Sequence, residues 1–223
     1  MSTDDLMWEP APEAMRSSAM ARFMIEANQR HGMNLKDYDG LWRWSAEHRE
    51  KFWPLVWNFF DVKAAQGWDT VLTNDVMPGA KWFEGARLNF AENLLRYRDD
   101  KTAIVFRNEA GHRRTFTYAE LYREVACLRA GLDAAGVVAG DRVAAYMPNM
   151  PETIVAMLAA ASIGAVFSST SPDFGADGVL DRFGQIEPKV LIASDGYFYN
   201  GKTHDTLGRV REILPQLPSV ERV

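Results

Sequence analysis

The chain has 223 residues, 47% of them hydrophobic and 12% aromatic, enough to build a substantial core in one large domain or two small ones. Its formal charge of −5 argues against a general nucleic-acid binder, which needs clustered Lys and Arg to release counterions from phosphates. The one cysteine, Cys127, excludes an intrachain disulfide.

Residues 1–13 carry Asp4, Asp5 and Glu9 and lack a basic segment leading into an apolar one, so they do not read as a secretory leader. No apolar run reaches the roughly 18 residues that read as a membrane span, and a cytoplasmic protein is expected. Pro12 and Glu13 open a helix in which Met20, Phe23, Met24 and Ala27 fall at i, i+3, i+4 and i+7, and Gly32 is placed to end it. A second helix is expected to take Ser45 as N-cap, to bury Phe52, Leu55, Val56 and Phe59, and to kink at Pro54. All seven tryptophans lie before residue 100, which predicts a helical, Trp-rich cap region over residues 1–100.

From Thr102 the pattern changes to strands and helices in turn. Residues 103–107 and 114–117 flank Asn108-Glu109-Ala110-Gly111 and predict a hairpin. Thr117 and Glu120 form a T-x-x-E capping box for a helix with Leu121, Val125, Leu128 and Leu132 on its core face and Gly136 beyond its end. Cys127 lies in that helical pattern and is expected to be a small buried hydrophobe. Strands are expected at 142–147, 165–168 and 189–193, and helices up to Ile163, at 175–185 and at 203–214. This alternation predicts an α/β fold, with residues 101–223 forming the first part of a parallel-sheet subdomain. Residues 219–223 open as another strand, so the sheet is expected to need further chain.

The P-loop, the dinucleotide fingerprint G-x-G-x-x-G and the nucleophile elbow G-x-S-x-G do not occur. The four histidines are scattered without metal-ligand spacing. Ser168-Ser169-Thr170-Ser171-Pro172-Asp173-Phe174-Gly175 follows a strand and precedes a helix, where it can hold an anion or simply cap the helix. Asp195-Gly196-Tyr197-Phe198-Tyr199-Asn200-Gly201-Lys202 follows the next strand, and in an open α/β sheet both loops are expected on one rim. Lys202, His204, Arg209 and Arg211 form the most basic stretch there, either a solvated helix face or part of a binding site.

Trp82-Phe83-Glu84-Gly85-Ala86-Arg87-Leu88-Asn89-Phe90-Ala91-Glu92-Asn93-Leu94-Leu95 resembles the W-F-x-G-x-x-L-N-x-x-x-N stretch that opens acetyl-CoA-synthetase-like ligases, in the form of their acetoacetate-using branch. Met7-Trp8-Glu9-Pro10 resembles the same branch. Phe116-Thr117-Tyr118-Ala119-Glu120-Leu121 is similar to the T-Y-x-E-L entry of these proteins. The residues from Gly140-Asp141-Arg142-Val143 through Tyr146-Met147-Pro148-Asn149 and Pro151-Glu152 resemble the G-D-R-V-x-x-Y-x-P-N-x-P-E pattern of adenylate-forming enzymes, and Gly164-Ala165-Val166 follows at the expected distance.

The resemblance covers essentially the whole chain and implies the N-terminal part of an AMP-forming acid–CoA ligase. Such an enzyme joins acetoacetate to ATP with release of pyrophosphate, handles the phosphates with Mg²⁺, and lets CoA displace AMP. It also implies that the phosphate loop, the adenine and ribose motifs and the catalytic lysine lie in the remaining C-terminal part, so no catalytic residue is expected here. What the family pattern places in this segment is part of the CoA side. A CoA-contacting glycine falls near Asp173, and two arginines fall on Tyr199 and Lys202. Of these only Lys202 keeps a positive charge, and Asp173 is expected to repel a phosphate. An acetyl- or propionyl-CoA synthetase is the nearest rival, and a CoA- or nucleotide-binding module without chemistry is the rival from another class.

Overall fold

The computed structural model describes residues 7–223, so the acidic start at Asp4 and Asp5 lies outside the described residues. The chain divides into two compact units, Met1–Arg87 and Leu88–Val223.

The first unit holds α1 (Pro12–Ser17), α2 (Ala19–His31), α3 (Tyr38–Glu47), α4 (Arg49–Phe59) and an antiparallel ribbon of β1 (Thr70–Thr73) and β2 (Lys81–Glu84). The single helix expected from Pro12 is broken at Ser18, whose extended ψ of 154° stops α1. Its hydroxyl then accepts from the Ala21 amide and caps α2, a local bond that outcompetes continuation of the helix. Gly32 ends α2 in the left-handed conformation, as expected. Ser45 is not an N-cap: Asp37 caps α3 by accepting from Gly40 N at 2.8 Å, and Ser45 sits inside α3, donating to Trp42 O. Pro54 lies within α4, which continues to Phe59. Phe23, Ala27, Leu41, Trp44 and Leu55 are buried together, with Phe23 edge-on to Phe52 and Phe59 at 5.7 and 5.2 Å between ring centroids.

In the second unit α5 (Phe90–Leu94) precedes the hairpin of β3 (Thr102–Arg107) and β4 (Arg113–Thr117). Then follow α6 (Tyr118–Ala134), β5 (Arg142–Tyr146), α7 (Pro151–Ile163), β6 (Val166–Thr170), α8 (Ala176–Ile186) and β7 (Val190–Ala193). A second hairpin of β8 (Gly196–Tyr199) and β9 (Lys202–Asp205), then α9 (Leu207–Ile213), complete the unit. Strands β6, β5 and β7 are parallel in that spatial order, and residue Arg222 adds a parallel bridge to Val190. The 219–223 run is thus seen as one bridge at the β7 edge.

Strand β5 is central and faces two cores. Val143 packs with Leu121, Val125 and Leu132 of α6 and with Leu158 and Ala159 of α7, while Ala144 and Tyr146 pack with Val179 and Phe183 of α8 and with Val210 and Ile213 of α9. Alternate residues of a strand point to opposite faces, so helices cover both sides of the sheet. Ala91 and Leu95 join the α6–α7 core, which places the start of this unit ahead of the compositional shift near residue 100. Cys127 is exposed, contrary to expectation, because Leu121, Val125 and Leu132 define the buried face of α6 and position 127 lies on the opposite one. Among the described residues no helix is long and apolar enough to cross a membrane.

The capping box is present: Glu120 N donates to Thr117 Oγ1 at 3.1 Å, and Thr117 N donates to the Glu120 carboxylate at 2.8 Å. That backbone bond, and then the Thr117 hydroxyl, hold the Glu120 carboxyl below its ordinary value. A carboxylate depressed in the folded state contributes stability above its unfolded pKa, and the contribution is lost as pH falls through the folded value. Thr117→Ala is expected to cost about 0.5–2 kcal/mol. Glu120→Gln is expected to flatten the acid limb of stability, and thermal unfolding as a function of pH measures both.

Candidate functional site

The carboxyl ends of the three parallel strands point toward one side of the second unit. A cavity of about 540 Å³ opens there. It is lined by 148–150 after β5, 171–173 after β6 and 196–199 of β8, and on the far side by 106–109 and 112–114 of the β3–β4 hairpin. This is where open α/β sheets receive ligands.

The loop after β6 is held on three sides. Tyr146, fully buried on β5, places its hydroxyl 2.8 Å from Pro172 O and 3.0 Å from Phe174 O. Arg209 of α9 donates to Phe174 O at 3.0 Å. From the β8 side, the Tyr197 hydroxyl donates to Asp173 Oδ1 at 2.9 Å, and Ser171 Oγ donates to Oδ2 at 2.8 Å. Burial pushes the phenols of Tyr146 and Tyr197 up, and for Tyr197 the bond to Asp173 adds to it, so both remain donors at neutral pH. Asp173 therefore meets the cavity with both carboxylate oxygens engaged. Its charge serves to lock the loop to the hairpin.

Asp173 and Tyr199 both line this cavity, and Lys202 stands directly opposite Tyr199 in the β8–β9 pair, exposed and outside the lining. The stretch expected as a loop and then a helix from 203 is instead a hairpin, and the helix starts only at Leu207. Asn200 and Gly201 both adopt positive φ, 51° and 70°, which fits the Asn-Gly turn that closes a two-residue hairpin. Lys202 and His204 accordingly lie on β9, not on a helix face, and His204 stacks on Tyr197 at 4.9 Å. The Ser/Thr-rich loop also resolves differently: Ser168, Ser169 and Thr170 belong to β6, and Gly175 occupies the N-cap of α8 without a side-chain bond. No hydroxyl of this stretch caps α8, and Ser171 Oγ is turned to Asp173.

The residues that sequence reasoning passed over are Arg107, His112, Arg113 and Arg114, which form the outer wall. Their signal was available as a basic cluster flanking a turn in an acidic chain. The His112 ring lies 5.7 Å from that of Phe198, and Gly201 N donates to Glu109 at 3.3 Å, so the two hairpin tips meet across the cavity mouth. Donors and aromatic faces are thus gathered around an open volume. Among the described residues, no cluster of three or more His, Cys, Asp or Glu side chains is placed to hold a metal.

Residues 90–223 match the family model described as AMP-binding enzyme, and residues 38–94 match the one described as acetyl-coenzyme A synthetase N-terminus. The chain is 46% identical over 217 residues to an acetoacetyl-coenzyme A synthetase of Rhizobium meliloti (strain 1021), covering 97% of this chain and 33% of that protein. It is 39% identical to an acetoacetyl-CoA synthetase of Macaca fascicularis, over 98% of this chain and 33% of that one. Among solved structures, the acetoacetyl-CoA synthetase from Streptomyces lividans superposes with a TM-score of 0.91 at 43% identity, covering 96% of this chain and 34% of that one. The chain thus spans about a third of the length of the relatives it matches.

Proposed function

Because the chain belongs to the AMP-binding enzyme family, we propose that it supplies the N-terminal third of an acetoacetate–CoA ligase, which uses ATP with Mg²⁺ to form an acetoacetyl adenylate and then passes the acyl group to CoA. In the cytoplasm, where we place the protein, residues 1–223 build one wall of the CoA entry and the rest of such an enzyme brings the phosphate loop and the catalytic lysine. The observation that carries this reading is the cavity beyond the parallel strands, where Asp173 and Tyr199, two of the three positions expected on the CoA side, line one volume.

In this reading the chain binds and orients without breaking bonds. Tyr146, Arg209 and Tyr197 fix the 171–174 loop, and the aromatic side chains of β8 offer flat faces to a ligand. Pre-set geometry of this kind lowers the cost of ordering a flexible cofactor such as CoA. Lys202, opposite Tyr199, supplies a cation at the hairpin.

The test is made on the full ligase carrying this segment. Acetoacetate is expected to drive ATP–pyrophosphate exchange and thioester formation, with acetate and propionate far weaker. Preference for acetate would point to the acetyl-CoA synthetase reading, and no exchange with any acid would favour a binding module. Lys202→Ala is expected to raise the KM for CoA about 10- to 100-fold. Its loss in thioester formation should exceed any loss in exchange, whereas equal losses would assign Lys202 to folding.

A further inference from the structure

Neither hairpin of the second unit belongs to the parallel sheet: β3–β4 and β8–β9 are each two-stranded sheets of their own. A lone two-stranded ribbon is marginal in water, so what each one leans on decides its position. Their bases are anchored. Tyr118 N and Ala119 N donate to Lys101 O and Asp99 O beneath β3–β4, and Arg114 pairs with Glu152 of α7. Beneath β8–β9, Thr206 N donates to Asp195 O, Thr206 Oγ1 donates to Ser194 O, and Tyr197 is tied to Asp173. The tips are held far more lightly. Among the described residues one hydrogen bond and one ring pair join them: Gly201 N donates to the Glu109 carboxylate at 3.3 Å, and the His112 ring lies 5.7 Å from that of Phe198. Glu109, His112 and Phe198 are exposed and also line the cavity, so these contacts span its mouth. A Cβ built on Gly111 or Gly201, in the left-handed turns at the two tips, would meet nothing within 4 Å beyond its chain neighbours, so both turns have room to swing.

Resting on the CoA reading above, we infer that Glu109 and His112 of one hairpin and Gly201 and Phe198 of the other form a latch across the cavity mouth, which parts each time CoA enters or leaves. An exposed hydrogen bond and a single ring contact are each weak, which suits a contact that has to break in every turnover. The fixed bases keep the two tips in register, so the latch closes again on the same partners. Glu109 serves as a hydrogen-bond acceptor, and its negative charge is not required for that. A contact that must break for passage in either direction slows entry and exit alike. The latch therefore sets the rate of CoA exchange and leaves the affinity nearly untouched.

The experiment uses the full ligase carrying this segment and has two readouts. In hydrogen exchange without CoA, Glu109→Ala is expected to speed amide exchange at residues 197–202 about 2- to 10-fold, with β5 and α7 unchanged. In stopped-flow binding, its association and dissociation rates for CoA are expected to rise by a similar factor, with Kd held within about two-fold. Glu109→Gln keeps an acceptor for Gly201 N while losing the charge, and is expected to match the wild type in both readouts. If Glu109→Gln instead matched Glu109→Ala, the effect would be attraction of anionic CoA to a less acidic rim, and the latch would be overturned. Unchanged amide exchange at 197–202 in Glu109→Ala would overturn it too. So would a change in Kd with an unchanged association rate, which would assign Glu109 to ligand binding. Absent pyrophosphate exchange or CoA binding in the unaltered ligase would sink the ligase reading and the latch's role with it, and is seen before any variant is made.

Discussion

Gly85→Ala is expected to lower the stability of the first unit by about 2–5 kcal/mol, the sum of a left-handed backbone penalty and local overpacking. Gly85 has a φ of 87°, and a Cβ built on it would lie 2.3 Å from Asp69 Oδ2 and 2.9 Å from Asp69 Cγ. The Asp69 carboxylate can rotate away, but its backbone N, 3.3 Å from that Cβ, cannot retreat because it donates to Glu84 O at 2.8 Å. That bond anchors the end of the β1–β2 ribbon beside the Trp57, Trp68 and Phe83 rings, which pack at 4.8–5.1 Å. All seven tryptophans belong to this unit, so denaturant unfolding followed by tryptophan emission reads it selectively. The double variant with Asp69→Ala should recover the overpacking part and keep the backbone cost. An unchanged midpoint in Gly85→Ala would show that this glycine of the W-F-E-G-A-R stretch has no conformational role.

Tyr146→Ala is expected to cost the second unit about 3–5 kcal/mol, because it removes a fully buried ring from the core against α8 and α9 and strips the support from the loop below the cavity. Tyr146→Phe keeps the ring and loses only the hydroxyl, for about 1–3 kcal/mol, mostly from leaving Pro172 O without its donor. Phe174 O retains Arg209. The raised phenol also sets a pH signature. Stability is full below the ordinary tyrosine value and is lost as pH rises through the raised folded value, and Tyr146→Phe removes that share. Calorimetry gives the two stabilities. Faster amide exchange at residues 173–175 in the Phe variant, with core exchange little changed, would show the loop loosening. Unchanged loop exchange would mean that Arg209 and Tyr197 hold it unaided.

Most of the second unit was legible because its signals are local. The T-x-x-E box, the 3.6-residue face of Leu121, Val125 and Leu132, and the glycines after α6 and α7 each act within a turn or two of chain. Where local signals competed, the reading failed. Ser18 and Asp37 won caps that composition alone did not assign, and the Asn200-Gly201 turn was hidden inside a stretch read as basic and helical.

By itself the sequence determined the order of strands and helices from β3 to β7, the left-handed glycine turns and the family to which the chain belongs, since each rests on neighbouring residues or on a colinear motif. Only the tertiary structure decided what stands around the cavity. Parallel pairing of β5 with β6 and β7 carries the 148–150, 171–173 and 196–199 segments to one rim, and the meeting of hairpin tips brings Glu109 to Gly201, 92 residues later. Those neighbours are set by strand register and crossover direction, which are properties of the packed sheet, so the locking of Asp173 by Tyr197 had no sequence spacing by which to be read.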